Sequence, residues 1–96
     1  MDNRQMQASL IAEENLEFLH AHDNETSASC LKELADLVYV AFQYAENSGW
    51  DLDEAIKRVH ESNMSKLGED GLPIYREDGK VLKGPMYKEP HLGDLI

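Results

Sequence analysis

Basic residues, cysteines and unbroken apolar runs are all scarce in this chain of 96 residues. Nine Lys and Arg stand against nineteen Asp and Glu, for a net charge of -10. A nucleic-acid backbone or an anionic membrane surface is held by Lys and Arg, so neither is expected as a partner. A nucleotide stays open, provided that divalent cations neutralise its site. The one cysteine, Cys30, cannot form an internal disulfide; its place in a helical pattern reads as a core thiol, and a reducing cytoplasm fits. No run approaches the eighteen or so apolar residues of a membrane span, and MDNRQMQASL lacks the basic-then-apolar layout of a signal peptide. Helix breakers are missing from most of the chain, because all three prolines and five of the six glycines fall beyond residue 67. The expected division is a helical core over residues 1–67 and an extended tail over 68–96, within one domain.

What is present is helical pattern. Residues 3–22 form the first expected helix, with Met6, Leu10, Ile11, Phe18 and Ala21 near one face and Glu13, Glu14 and Glu17 beside it. His20 and His22 close it, where their charge suits the helix dipole. The polar DNETS turn over residues 23–27 supplies turn and N-cap types, and so short a turn makes its two helices antiparallel neighbours. The central helix, Cys30 to Asn47, recurs in apolar residues at Leu31, Leu34, Val38, Ala41 and Ala45, and Leu37, Tyr39, Val40 and Phe42 fill its other sides. A helix apolar nearly all round needs cover on more than one side, here from a second copy. Gly49 ends it as a C′ residue. Asp51 as N-cap and Glu54 three residues on open a third helix that stops near Leu67-Gly68. Beyond it, Asp78-Gly79 between Ile74-Tyr75 and Val81-Leu82 reads as a hairpin with a primed turn. The fold class is therefore all-α: an antiparallel helical bundle completed by oligomerisation, with a short irregular or hairpin tail.

Carboxylates carry the chemistry. Glu13 and Glu17 are four apart, Glu14 and Glu17 three apart, and Glu33 and Asp36 three apart, so each pair shares a stretch of helix surface. Two antiparallel helices would gather four or five of these groups into a cluster whose repulsion only cations relieve. Oxygen-only ligands suit Mg²⁺ or Mn²⁺ rather than Zn²⁺. Spacing alone is more often met by a solvated acidic face.

Four elements in order resemble a known family. LIAEENLEFLHA holds Glu13-Glu14-x-x-Glu17; KELADLVYVAFQYA holds Glu33-x-x-Asp36; GWDLDEAIKRVHESNMSKL ends in Asn63-Met64-Ser65-Lys66; DGLPIYREDGKVLKGPMYKEPHL is the tail. Over roughly residues 8–92 the chain resembles the all-α nucleoside triphosphate pyrophosphohydrolases, the MazG and phosphoribosyl-ATP pyrophosphohydrolase-like group. That resemblance implies a helical dimer or tetramer and Mg²⁺ held by Glu14, Glu17, Glu33 and Asp36. It implies Glu13 as a further ligand or as the base that activates water, and Asn63 and Lys66 near the nucleotide or its phosphates. The implied reaction is hydrolysis of a nucleoside triphosphate between its α- and β-phosphates, giving a monophosphate and pyrophosphate. Phosphoribosyl-ATP is the alternative substrate, and a non-catalytic helical interaction module is the alternative of another class. Tyr75, Arg76, Lys80, Lys83, Tyr87 and Lys88 gather bases and aromatics in the tail, where they either wrap substrate phosphates or pack on a neighbouring subunit. Trp50 is expected to pack under the third helix.

Overall fold

A computed structural model describes residues 3–96. It contains three helices, α1 (Asn3–Asn24), α2 (Ser27–Ser48) and α3 (Leu52–Met64), a two-stranded sheet of β1 (Ile74–Tyr75) and β2 (Val81–Leu82), and a 3₁₀ turn at Gly93–Leu95. The all-α class holds. The chain divides into two compact units at the Trp50–Asp51 boundary.

The first unit is the helical pair α1–α2. Both helices outrun the expected bounds because side chains cap them later and earlier than the periodicity suggests. Asn24 Nδ2 donates to the His20 carbonyl (3.1 Å), which carries α1 two residues past His22. The Thr26 hydroxyl accepts from the Ser29 N–H (3.2 Å), so α2 begins at Ser27 rather than Cys30. At the other end Gly49 takes φ 76, and the Trp50 N–H donates to the Ala45 carbonyl (2.9 Å), a left-handed glycine cap. The pair is antiparallel: Arg4 near the start of α1 donates to the Tyr44 hydroxyl near the end of α2 (3.3 Å) and lies 5.1 Å from the Trp50 ring centre. Trp50 meets Tyr44 edge-on at 5.7 Å. Its ring partners in this unit are thus Tyr44 and Arg4.

The buried residues include only part of the apolar stripes read from the sequence: Ile11, Phe18 and Ala21 of α1 and Ala41 and Ala45 of α2 turn inward. On α1, Gln7 and Ala21 are buried and Ile11, Glu14 and Phe18 are half-buried, a four-three alternation along one side. On α2, Cys30, Glu33, Leu37 and Tyr44 are half-buried and Val40 is buried. Leu31, Leu34 and Val38 of the expected stripe are instead 66%, 42% and 49% exposed. Turning Glu33 toward α1 rotates that part of the stripe outward, and it forms with Ala35, Tyr39 and Phe42 an open apolar groove. No large side chain among the described residues is fully buried.

The second unit is α3 with the tail wrapped on it. Asp51 Oδ1 accepts from the Glu54 N–H (3.1 Å), the expected N-cap. The helix ends at Met64, and the next turn tightens: the Lys66 N–H donates to the Asn63 carbonyl (3.1 Å) and the Leu67 N–H to the Met64 carbonyl (3.4 Å). The tail is tied down along the helix. Ser62 Oγ donates to the Lys88 carbonyl (2.8 Å), and the Lys88 N–H donates to Ser65 Oγ (2.9 Å). Arg58 forks onto Asp94 with bonds of 2.6 and 3.0 Å and donates to the His91 carbonyl (3.0 Å). Asp94 holds the Arg58 guanidinium well above its usual pKa, and Arg58 in turn holds the Asp94 carboxyl below the usual carboxylate range.

The hairpin pairs Ile74 with Leu82 and Tyr75 with Val81. Its turn is not primed. The Gly79 N–H donates to the Arg76 carbonyl (2.9 Å) and the Arg76 N–H to the Lys80 carbonyl (2.7 Å), which encloses three residues. Glu77 and Asp78 keep negative φ, and only Gly79, at φ 90, is left-handed. An L-residue at Asp78 resists the positive φ a primed turn requires, whereas a three-residue connection asks it of glycine alone.

Candidate functional site

The helical pair places Glu14 and Glu33 in its buried seam. Glu14 lies seven residues from both Gln7 and Ala21, two turns in each direction, and so shares their side of α1. Glu17 follows one turn later at the seam's exposed edge. Glu14, Glu17 and Glu33 each bring one carboxylate oxygen to a common point, and these atoms all lie within 4.8 Å of one another. Glu14 Oε2 and Glu33 Oε2 are buried without a hydrogen-bond partner. An anionic oxygen so placed costs free energy unless a cation or proton meets it. Three hard carboxylate oxygens from two helices, on residues of which Glu14 and Glu33 each also carry a buried oxygen without a partner, fit a divalent cation.

The electrostatics agree. Burial raises the Glu14 pKa above its ordinary 4.5, and a hydrogen bond with Glu17 and the charges of Glu17, Asp36 and Glu33 raise it further. Asp36 therefore acts on the cluster, but its own carboxylate turns to Lys32, with Nζ 2.7 Å from Oδ2. Lys32 also lies 3.4 Å from Glu33 Oε1, and the two acids push its pKa up to about 12, Asp36 first. Glu13 is exposed on α1 and stands outside the three-oxygen group.

A pH dependence follows. A carboxyl whose folded pKa is raised binds its proton more tightly in the folded state than in the unfolded one. Its effect is to stabilise the fold as the pH falls toward 4.5 and to withdraw that stability as the pH rises through the folded value. Asp78 and Asp94, lowered from 3.8, act oppositely and only at more acid pH. Melting curves in chelator should therefore show a rise on acidification from neutral that Glu14→Gln removes. An identical rise in the variant would exclude Glu14 as its source.

Asn63 and Lys66 belong to the second unit. The tightened turn stacks positions three apart, and both residues line one cleft with Leu67, Pro73, Tyr75 and Val81. Of the tail's basic and aromatic residues, Arg76 is committed to Asp78, and Lys83 lies 4.8 Å from the Tyr87 ring centre. Sequence pattern does not single out Lys32 as the cluster's counter-charge, nor Ser62 of α3 and Ser65 just beyond it as the anchors of the tail. A Lys one and four residues before Glu33 and Asp36 was the available signal for the first. Nothing in local spacing marks the second, since its partner is backbone 23 to 26 residues away.

The family model described as phosphoribosyl-ATP pyrophosphohydrolase matches residues 2–63. The matched stretch holds every carboxylate of the cluster together with Asp36 and Asn63, while Lys66 and the hairpin follow it. Comparison with curated proteins finds no match.

Proposed function

The chain belongs to the phosphoribosyl-ATP pyrophosphohydrolase family and is a hydrolase acting on acid anhydrides; on that premise we propose that it cleaves a nucleoside triphosphate between the α- and β-phosphates, releasing a monophosphate and pyrophosphate. The observation that carries this reading is the group of three carboxylates on α1 and α2, in which Glu14 and Glu33 each have a buried oxygen without a partner. Glu14, Glu17 and Glu33 would hold a divalent cation, Mg²⁺ by the hardness of the donors, with Mn²⁺ as a substitute. Asp36 would join them by exchanging Lys32 for the ion. When bound, the cation supplies charge to the phosphate oxygens and acidifies a nearby water.

The chain's own residues do the rest. Glu13, outside the group and open to solvent, is the base that takes the proton of the attacking water. Lys66 serves as a point charge for phosphate, and the Asn63 amide orients the nucleotide through donor and acceptor alike. Substrates of the non-standard or deoxy type are the leading choice. Phosphoribosyl-ATP is the second reading, favoured by the description of the matched family. Both put the same bond at risk.

The test is pyrophosphate release from common and modified nucleoside triphosphates, with Mg²⁺ and with chelator. Metal-dependent release alongside a monophosphate is the expected result. Silence across that panel with turnover of phosphoribosyl-ATP would transfer the function to the second substrate. Metal binding with neither activity would make the chain a non-catalytic helical module.

The reading includes a homo-oligomer, dimer or tetramer, in the cytoplasm. The groove of Leu31, Leu34, Ala35, Val38, Tyr39 and Phe42 supports it, since so continuous an apolar face is costly in water. Among the described residues no helix is long and apolar enough to cross a membrane. Sizing chromatography is expected to give at least twice the 10.9 kDa chain mass, and Val38→Glu to shift the protein toward monomer. A compact monomer at working concentration would refute the oligomer.

A further inference from the structure

We propose that the cleft between the turn after α3 and the hairpin is a nucleobase subsite, in which Tyr75 stacks on the base; this rests on the reading of Asn63 and Lys66 as nucleotide-binding. The two strands place Tyr75 and Val81 directly opposite one another, hence on one face, while Ile74 and Leu82 occupy the other. The Tyr75–Val81 face lines the cleft, and Ile74 turns away toward Gly68. Leu67, Pro73 and Val81 make an apolar floor.

The wall is held in place at both ends. Ahead of β1 the Gly68 N–H donates to the Leu72 carbonyl (2.8 Å), and after β2 the Gly84 N–H donates to the Lys66 carbonyl (2.7 Å). A two-stranded hairpin is marginal alone, and these bonds tether it to the residues that follow α3. Tyr75 is 63% exposed, and among the described residues its side chain has no hydrogen-bond, ring or cation partner. The other aromatic of this unit, Tyr87, is covered by Lys83.

The lining chemistry selects the ligand. In a chain with nineteen acids, none lines this cleft, and its one charge is Lys66. An aromatic face, an apolar floor, an amide with donor and acceptor, and a lone ammonium together suit a flat heteroaromatic ring carried on an anion. Asn63 falls within the residues matched to the family, and Lys66 and the hairpin follow them.

Calorimetric binding of nucleoside 5′-monophosphates and of inorganic triphosphate to the full chain, with Mg²⁺, tests the assignment without relying on turnover. Tyr75→Ala is expected to weaken monophosphate binding by about 10-fold or more. Tyr75→Phe, which keeps the ring, should bind as the unsubstituted protein does. Inorganic triphosphate, having no base, should bind all three equally. Undiminished monophosphate binding in Tyr75→Ala, equal loss of both ligands, or no nucleotide binding by the unsubstituted protein would each overturn the subsite. Nucleotide binding sensitive to Tyr75 but without pyrophosphate release would leave the subsite standing and remove the hydrolase reading instead.

Discussion

Glu33→Gln is expected to lower metal-dependent pyrophosphate release by about 100-fold or more while raising the melting temperature of the metal-free protein. The two effects have one source. Glu33 Oε2 is buried without a partner and its charge raises the Glu14 pKa, so in the absence of a cation it is a destabilising neighbour. A neutral amide keeps the shape, removes one repulsion and offers N–H donors to Glu14 and Glu17. The same exchange removes a hard anionic ligand from a set of three. Activity in Mg²⁺ and thermal melts in chelator would be measured on the same preparation. Loss of activity with a lower metal-free melt would mean that Glu33 acts through structure, and loss with an unchanged melt would rule out the repulsion while leaving the ligand role. Full activity in Mg²⁺ would mean that the three-oxygen group is not the metal site.

Gly84→Ala carries the second large effect. A Cβ at Gly84 would stand 2.5 Å from the Lys66 carbonyl oxygen and 2.6 Å from that of Leu67. Both are backbone atoms, so neither can swing aside as a side chain would. The tail has to withdraw, and the Gly84 N–H to Lys66 carbonyl bond of 2.7 Å goes with it. Overpacking of this kind costs about 1–3 kcal/mol, and each kcal/mol lowers the melting temperature of a domain this small by roughly 4–8 °C. Because the displaced contact is made to Lys66, the KM for nucleotide should rise more than the melt alone explains. Differential scanning calorimetry and kinetics at a temperature where the variant is fully folded separate the two. A melt within a degree of the unsubstituted protein would show that the tail does not pack tightly there.

Several elements could be read from the chain because their causes are local. A cap is decided by a side chain within three residues of the N–H it satisfies, and Asp51 and Gly49 take the places their neighbours require. Thr26 was one of several cap types in its turn, and the geometry selected it. Helix spacing likewise put Glu14 beside Glu17, since i,i+3 adjacency is a property of the helix itself, whereas Asn63 and Lys66 come together through the tightened turn after Met64. The hairpin was legible as a hairpin, but its turn type was not. That depended on whether Asp78 or only Gly79 would take positive φ.

The family, the all-α class and the order of the acidic elements were thus determined by sequence, through motifs and periodicity that need no knowledge of long-range contacts. The tertiary structure decided which side of each helix is inside. The apolar stripe of α2 kept only Ala41 and Ala45 inward; Cys30, Glu33, Leu37, Val40 and Tyr44 are the other inward residues, and Leu31, Leu34 and Val38 are left outward. A helix apolar on several sides has no single inward face by its own periodicity, and the docking of α1 chose one. It also decided which carboxylates converge: Glu14, Glu17 and Glu33 meet, Asp36 pairs with Lys32, and Glu13 stays in solvent. Spacing offers all five alike. The rotation of two helices about their axes, which no run of residues encodes alone, sorts them.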